Sequence, residues 1–199
     1  MPAVIQAAVE GRTDAAIARK LIAHVGAEPG WVHGEQGKSH LKQYITGYNH
    51  AARHAPWLVL VDLDRDADCA PPLRQAWLAQ PAPLLCLRVA VRETEAWLLA
   101  DAEMLSRFLR VAQRKVPPDP ESLPDPKQAI VNLARASTCK DIRQDMVPRQ
   151  GSGRTVGPAY STRLIEFVQD LWRPDIAANR ADSLARAIRC LRRLMEASA

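Results

Sequence analysis

The 199-residue chain has only four cysteines, and Cys69, Cys86, Cys139 and Cys190 lie far apart with no C-x-x-C pair among them. That excludes a zinc ribbon and a disulfide framework, and reduced cysteines in a cytoplasmic protein are expected. No apolar run approaches the roughly 20 residues that a membrane-spanning helix needs. The first residues, Met1-Pro2-Ala3-Val4-Ile5, lack the basic region and cleavage site of a signal peptide and read directly as a strand. Internal repeats and extended low-complexity tracts are absent. Gly151-Ser152-Gly153-Arg154 lacks the G-K-[ST] of a phosphate-binding loop. His50 and His54 share a helix face, but without the glutamate of an H-E-x-x-H site they read as a solvated pair.

What is present is a core and an uneven charge. Hydrophobic residues make up 47% of the chain, enough for a packed interior. The net charge is +5, but it is not spread evenly. Residues 1–102 carry 10 basic and 11 acidic residues, whereas residues 103–199 carry 17 and 11. A positive half attracts polyanions, with nucleic acid the commonest.

Patterning predicts a strand over 3–9, a helix over 13–25, a weak strand near 31–33 and a polar helix over 37–54. The run Trp57-Leu58-Val59-Leu60-Val61 is apolar on both faces, as in a central parallel strand. A short helix over 73–79, a strand over 84–91 and a helix from Glu93 complete the alternation. Strands alternating with helices imply a parallel sheet flanked by helices. After residue 102 the character changes. Five prolines between 117 and 126 mark a linker or an irregular crossover, and helices are expected over 126–136, 161–172 and 180–196. The expected organisation is a catalytic α/β domain over 1–102 and a basic, mainly helical extension over 103–199 packed on it. Leu184, Ile188, Leu191 and Met195 form the apolar stripe of the last helix. Trp97 reads as a core anchor and Tyr160 as a structural residue rather than a nucleophile.

Acids stand where the strands end. Glu10 ends the first, Asp62, Asp64, Asp66 and Asp68 follow the central one, and Glu93 and Glu95 follow the next. Ligands of open α/β sheets bind beyond the carboxyl ends of the strands, so three strands deliver carboxylates to one edge. Gathered carboxylates raise one another's pKa unless a cation neutralises them, and hard oxygen ligands select Mg²⁺ or Mn²⁺. Two such ions about 4 Å apart activate water and stabilise the leaving oxygen in phosphodiester cleavage. Glu10, Asp62, Asp64 and Asp66 are candidate ligands, with Glu93 and Glu95 completing a second metal site or orienting water. Arg92, Lys127 or Lys140 would stabilise the developing phosphorane charge.

Glu10-Gly11-Arg12-Thr13-Asp14 after one strand and Asp62-Leu63-Asp64-Arg65-Asp66 after a later one resemble the Toprim domain. That domain is shared by topoisomerases, bacterial primases, recombination-repair proteins and the overcoming-lysogenization-defect nucleases. The resemblance implies a Rossmann-like fold and metal-binding, catalytic roles for Glu10, Asp62 and Asp64. The nuclease branch adds an acid soon after the glutamate, which makes Asp14 a further metal candidate. Asp14 would otherwise be a favourable first-turn acid of the helix. The block from Arg88 to Asp101, R-V-A-V-R-E-T-E-A-W-L-L-A-D, is similar to a signature of small standalone bacterial Toprim-like proteins, some linked to phage defence. It implies that Glu93 sits at the strand end facing the site. The implied activity is Mg²⁺-dependent phosphodiester cleavage in defence or repair, on DNA in preference to RNA, with an ATPase as a partner. A non-catalytic module that binds nucleic acid or a partner is the alternative. Asp62-Leu63-Asp64 also resembles the D-x-D of haloacid-dehalogenase-type phosphatases, but those carry it on their first strand. A response-regulator receiver would need a lysine at a later strand end.

Overall fold

The computed structural model describes residues 3–197. Met1 and Pro2, read with the first strand, lie outside them, as do the last two residues of the helical extension. The chain forms two compact units, one comprising residues up to Val91 together with those from Asp182 on, the other comprising Arg92–Ala181.

The first unit is built on four parallel strands, β1 (Val4–Val9), β2 (Glu28–Gly34), β3 (Trp57–Asp62) and β4 (Leu85–Ala90), in the order β2-β1-β3-β4. Helix α1 (Arg12–His24) carries the chain from β1 outward to β2, and α2 (Lys38–Ala51) carries it back past β1 to β3. Right-handed crossovers running in opposite directions place the two helices on opposite faces. Leu41 and Ile45 of α2 and Leu73 and Trp77 of α3 (Ala70–Trp77) pack with Val59, Val61, Leu87 and Val89. Successive strand residues alternate faces, so Leu58 and Leu60, also buried, point the other way. Strand β3 is therefore apolar on both sides because both sides are covered.

The last helix, α10 (Asp182–Glu196), packs on β4 and belongs with the sheet. Its buried stripe is Leu184, Ala187, Ile188, Leu191 and Leu194, so Leu194 takes the inner position expected for Met195. The Ser183 hydroxyl accepts from the Val91 N–H just past the carboxyl end of β4, while Cys190 hydrogen-bonds to Cys86 near the start of that strand. The helix thus runs antiparallel to β4, and Arg189, Arg192 and Arg193 lie toward the amino end of the sheet. The division of the chain differs from a break after residue 102. It falls after Val91, and the last helix rejoins the sheet, where its apolar stripe is buried.

The second unit is all helix, with α4 (Glu95–Ala100) at its centre. Every residue of α4 is buried, and α5 (Ala102–Leu109), α6 (Pro126–Arg135) and α9 (Pro174–Ala177) pack around it. The helices α7 (Lys140–Met146) and α8 (Tyr160–Asp170) complete it. Trp97 is fully buried, as an anchor should be, and its carbonyl accepts from Trp172 Nε1 at 3.2 Å. The proline-rich stretch is an irregular crossover, tied down by Arg180, whose guanidinium donates to the carbonyls of Pro117 and Pro118 at 2.8 Å. Among the described residues no helix is long and apolar enough to cross a membrane.

Candidate active site at the carboxyl edge of the sheet

Strand order reverses between β1 and β3, because the chain leaves β1 toward β2 and returns to the other side. At such a switch point the connections diverge and leave a crevice beyond the strand ends. Glu10 follows β1 there and Asp62 ends β3. The two meet, with the Asp62 N–H donating to Glu10 Oε1 at 2.8 Å.

The chain after β3 then turns abruptly. Leu63 is fully buried and its N–H donates to the Ala90 carbonyl at 2.9 Å. Asp64 follows with φ +50°, a left-handed conformation that aspartate tolerates better than most residues. This turn presents Asp64 and Asp66 to one ammonium group. Lys38 Nζ lies 2.7 Å from Asp64 Oδ2 and 2.7 Å from Asp66 Oδ2.

Lys38 opens α2, and the loop before it is fixed to the end of β1. The Glu35 N–H donates to the Val9 carbonyl at 3.1 Å and the Gly37 N–H to the Glu10 carbonyl at 2.9 Å. Gly34 makes this approach possible, since with φ +94° a Cβ there would lie 2.2 Å from the Val9 oxygen. Sequence reasoning missed Lys38. The available signal was the strand-end rule applied to β2, whose following turn ends in Gly37-Lys38.

The electrostatics are out of balance at Glu10. Burial pushes its carboxyl from 4.5 up to about 7, against the opposing pull of the Asp62 N–H and Lys38 and with a smaller push from Asp14 and Asp64. Partial burial works against the charge on Lys38, yet its contacts to Asp64 and Asp66 hold its pKa above the ordinary value. Asp14 is buried in the first turn of α1, where its Oδ2 accepts from the Gly11 N–H at 2.9 Å. That is the helix-start role of a first-turn acid.

The acids after β4 have other occupations, all within the second unit. Glu93 accepts from the Lys127 N–H at 2.9 Å and from Lys127 Nζ at 3.1 Å, so it caps the start of α6. Buried Glu95 lies 3.7 Å from Lys127 Nζ and accepts from the Tyr160 hydroxyl at 3.4 Å. Tyr160 is itself buried, and burial with Glu95 and Glu93 nearby drives its pKa well up. Lys127, a candidate for steadying phosphorane charge, is thus engaged by two carboxylates. Arg92 is half-buried at the start of the same unit, and Lys140 lines a basic groove described below.

The His50 and His54 rings stand edge to face 6.1 Å apart. Among the described residues no group of three or more His, Cys, Asp or Glu side chains converges closely enough to hold a metal ion. All four cysteines are free thiols. No protein-family model, curated protein or solved structure matches the chain.

Proposed function

We propose that the carboxyl edge of β1 and β3 is the active site of a metal-dependent phosphodiesterase, a nuclease acting on DNA in preference to RNA. The observation that carries this reading is the junction of Glu10 and Asp62 at the switch point of the sheet. A half-buried carboxyl raised to about 7, with Asp14 and Asp64 adding to the push, is an arrangement that a bound cation relieves. The all-oxygen donors suit Mg²⁺ or Mn²⁺. The side chains fit such an ion in chemistry, but the carboxylates of Glu10, Asp62 and Asp64 must close on one point to hold it, with Asp64 turning from the Lys38 ammonium, a cation already held between two of the acids. The Toprim resemblance of residues 10–14 and 62–66 points the same way.

Glu10, Asp62 and Asp64 would hold the ion, which supplies Lewis acidity and a more acidic water when bound. Lys38 would keep Asp64 and Asp66 in place until then and afterwards offer its charge to a phosphoryl oxygen. Asp14 fixes the start of α1, and through it the chain leaving Glu10.

The test is incubation with supercoiled plasmid and with single-stranded DNA in Mg²⁺ or Mn²⁺. Nicking or degradation that EDTA stops and Asp62→Asn abolishes is expected. Equal, metal-independent background from wild type and variant on every substrate would overturn the reading. A non-catalytic nucleic-acid-binding module is the second reading, favoured by the present pairing of Lys38 with two of the acids. It predicts salt-sensitive binding with no metal requirement.

A further inference from the structure

The second unit has a groove of about 720 Å³ between α7, the end of α6 and the loop 149–158, lined by Arg135, Lys140, Arg143 and Arg149. Its one acid, Asp145, is already engaged, with Arg163 Nη2 at 2.7 Å. Among the described residues no carboxylate pairs with any of the four groove cations. Arg135 donates to Asn132 Oδ1 at 2.7 Å and Arg143 to the Ser137 carbonyl, both neutral acceptors that leave the positive charge uncompensated. The loop extends the basic surface, since Arg149 and Arg154 line an adjoining hollow. Gly151 (φ +77°) and Gly153 (φ +66°) give that loop its turns.

Four uncompensated cations around one open concavity repel each other and attract a multiply charged anion. A single small anion would satisfy one or two of them. A chain of phosphates satisfies all four and gains from releasing its own counterions. We propose that this groove binds the phosphodiester backbone of a nucleic acid. The assignment deepens the hydrolase reading by naming where a substrate is held, and it stands or falls without metal.

The probe is a fluorescein-labelled single-stranded DNA, with anisotropy measured in EDTA so that no cleavage or metal binding enters. Four phosphate contacts give a slope of log K on log salt of about −2.8, a roughly fiftyfold fall in affinity from 50 to 200 mM. Arg135, Lys140 and Arg149 are exposed, so their triple replacement by Gln should fold. It should weaken binding by roughly tenfold or more at 50 mM and cut the slope to about −0.7. If the triple variant does not fold, Arg149→Gln alone should reduce the slope by about 0.7. Replacing Arg189 and Arg192 of α10 by Gln should change neither quantity. Unchanged affinity and slope in the groove variants would overturn the proposal. So would complete displacement of the DNA by millimolar inorganic phosphate, or groove-dependent binding to phosphatidylserine vesicles without DNA binding. Cleavage that fails while groove-dependent binding persists would remove the hydrolase reading and leave this one.

Discussion

Two sets of acids behave differently. At the β1/β3 edge, Glu10 is pushed up to about 7 by burial, and Asp64 and Asp66 share one ammonium. In the second unit, acids of similar sequence appearance are fully employed. Glu93 caps α6 and pairs with Lys127. Asp101, wholly buried, accepts from the Met104 N–H at the start of α5 and from the Arg173 N–H, Nε and Nη2. A satisfied buried acid stabilises a fold, whereas an under-compensated one is a candidate for binding a ligand or a proton. The difference separates structural carboxylates from candidate functional ones, which strand-end position alone does not.

The comparison can be broken at several points. Asp62→Asn should lower metal-dependent cleavage about a thousandfold, since Lewis acidity is worth several kcal/mol, and leave the melting temperature nearly unchanged. Glu93→Gln should do the reverse, sparing cleavage per folded molecule and lowering thermal stability. Comparable losses of cleavage in both variants would erase the distinction. Asp101→Ala should cost about 2–3 kcal/mol in denaturant titration, from a lost helix cap and orphaned donors.

A smaller effect tests Glu10 directly. Its folded pKa of about 7 exceeds the ordinary 4.5, so the folded state holds the proton more tightly. The stability this provides is full below about pH 4.5 and is lost as pH rises through about 7. In EDTA, wild type should therefore lose about 2 kcal/mol relative to Glu10→Gln between pH 4.5 and 8, allowing for solvent screening. Parallel pH–stability curves would show that Glu10 is not under strain. The smallest effect expected is at Lys38, where Lys38→Met should tighten Mn²⁺ binding by a few-fold by removing a competing cation.

Much of this was legible in the residues. The β3 run is apolar on both faces because helices cover both faces, and the acids after β1 and at the end of β3 reach the same crevice. Trp97 was legible as core for the same reason of burial. Lys38 was not, because its partners lie 26 and 28 positions away and only the turn at Asp64 brings them to it. The partners of Glu93 and Glu95 were not legible, because position at a strand end fixes an address but not the partners that later helices supply. Helix α5 escaped notice because it stops at Arg110 in a left-handed conformation (φ +55°), without the glycine or asparagine that signals a helix end. The basic excess of the C-terminal half was counted correctly but addressed too broadly. The α10 arginines at 189, 192 and 193 lie toward the amino end of the sheet, away from the acids.

Mn²⁺ binding is the most direct measurement. Titration of the metal alone, followed by electron paramagnetic resonance of the free ion, should show binding to wild type, its loss in the Glu10→Gln/Asp62→Asn double variant, and its retention in Glu93→Gln. Equal binding by all three proteins, or none by wild type, would contradict the assignment of the β1/β3 edge as a metal site.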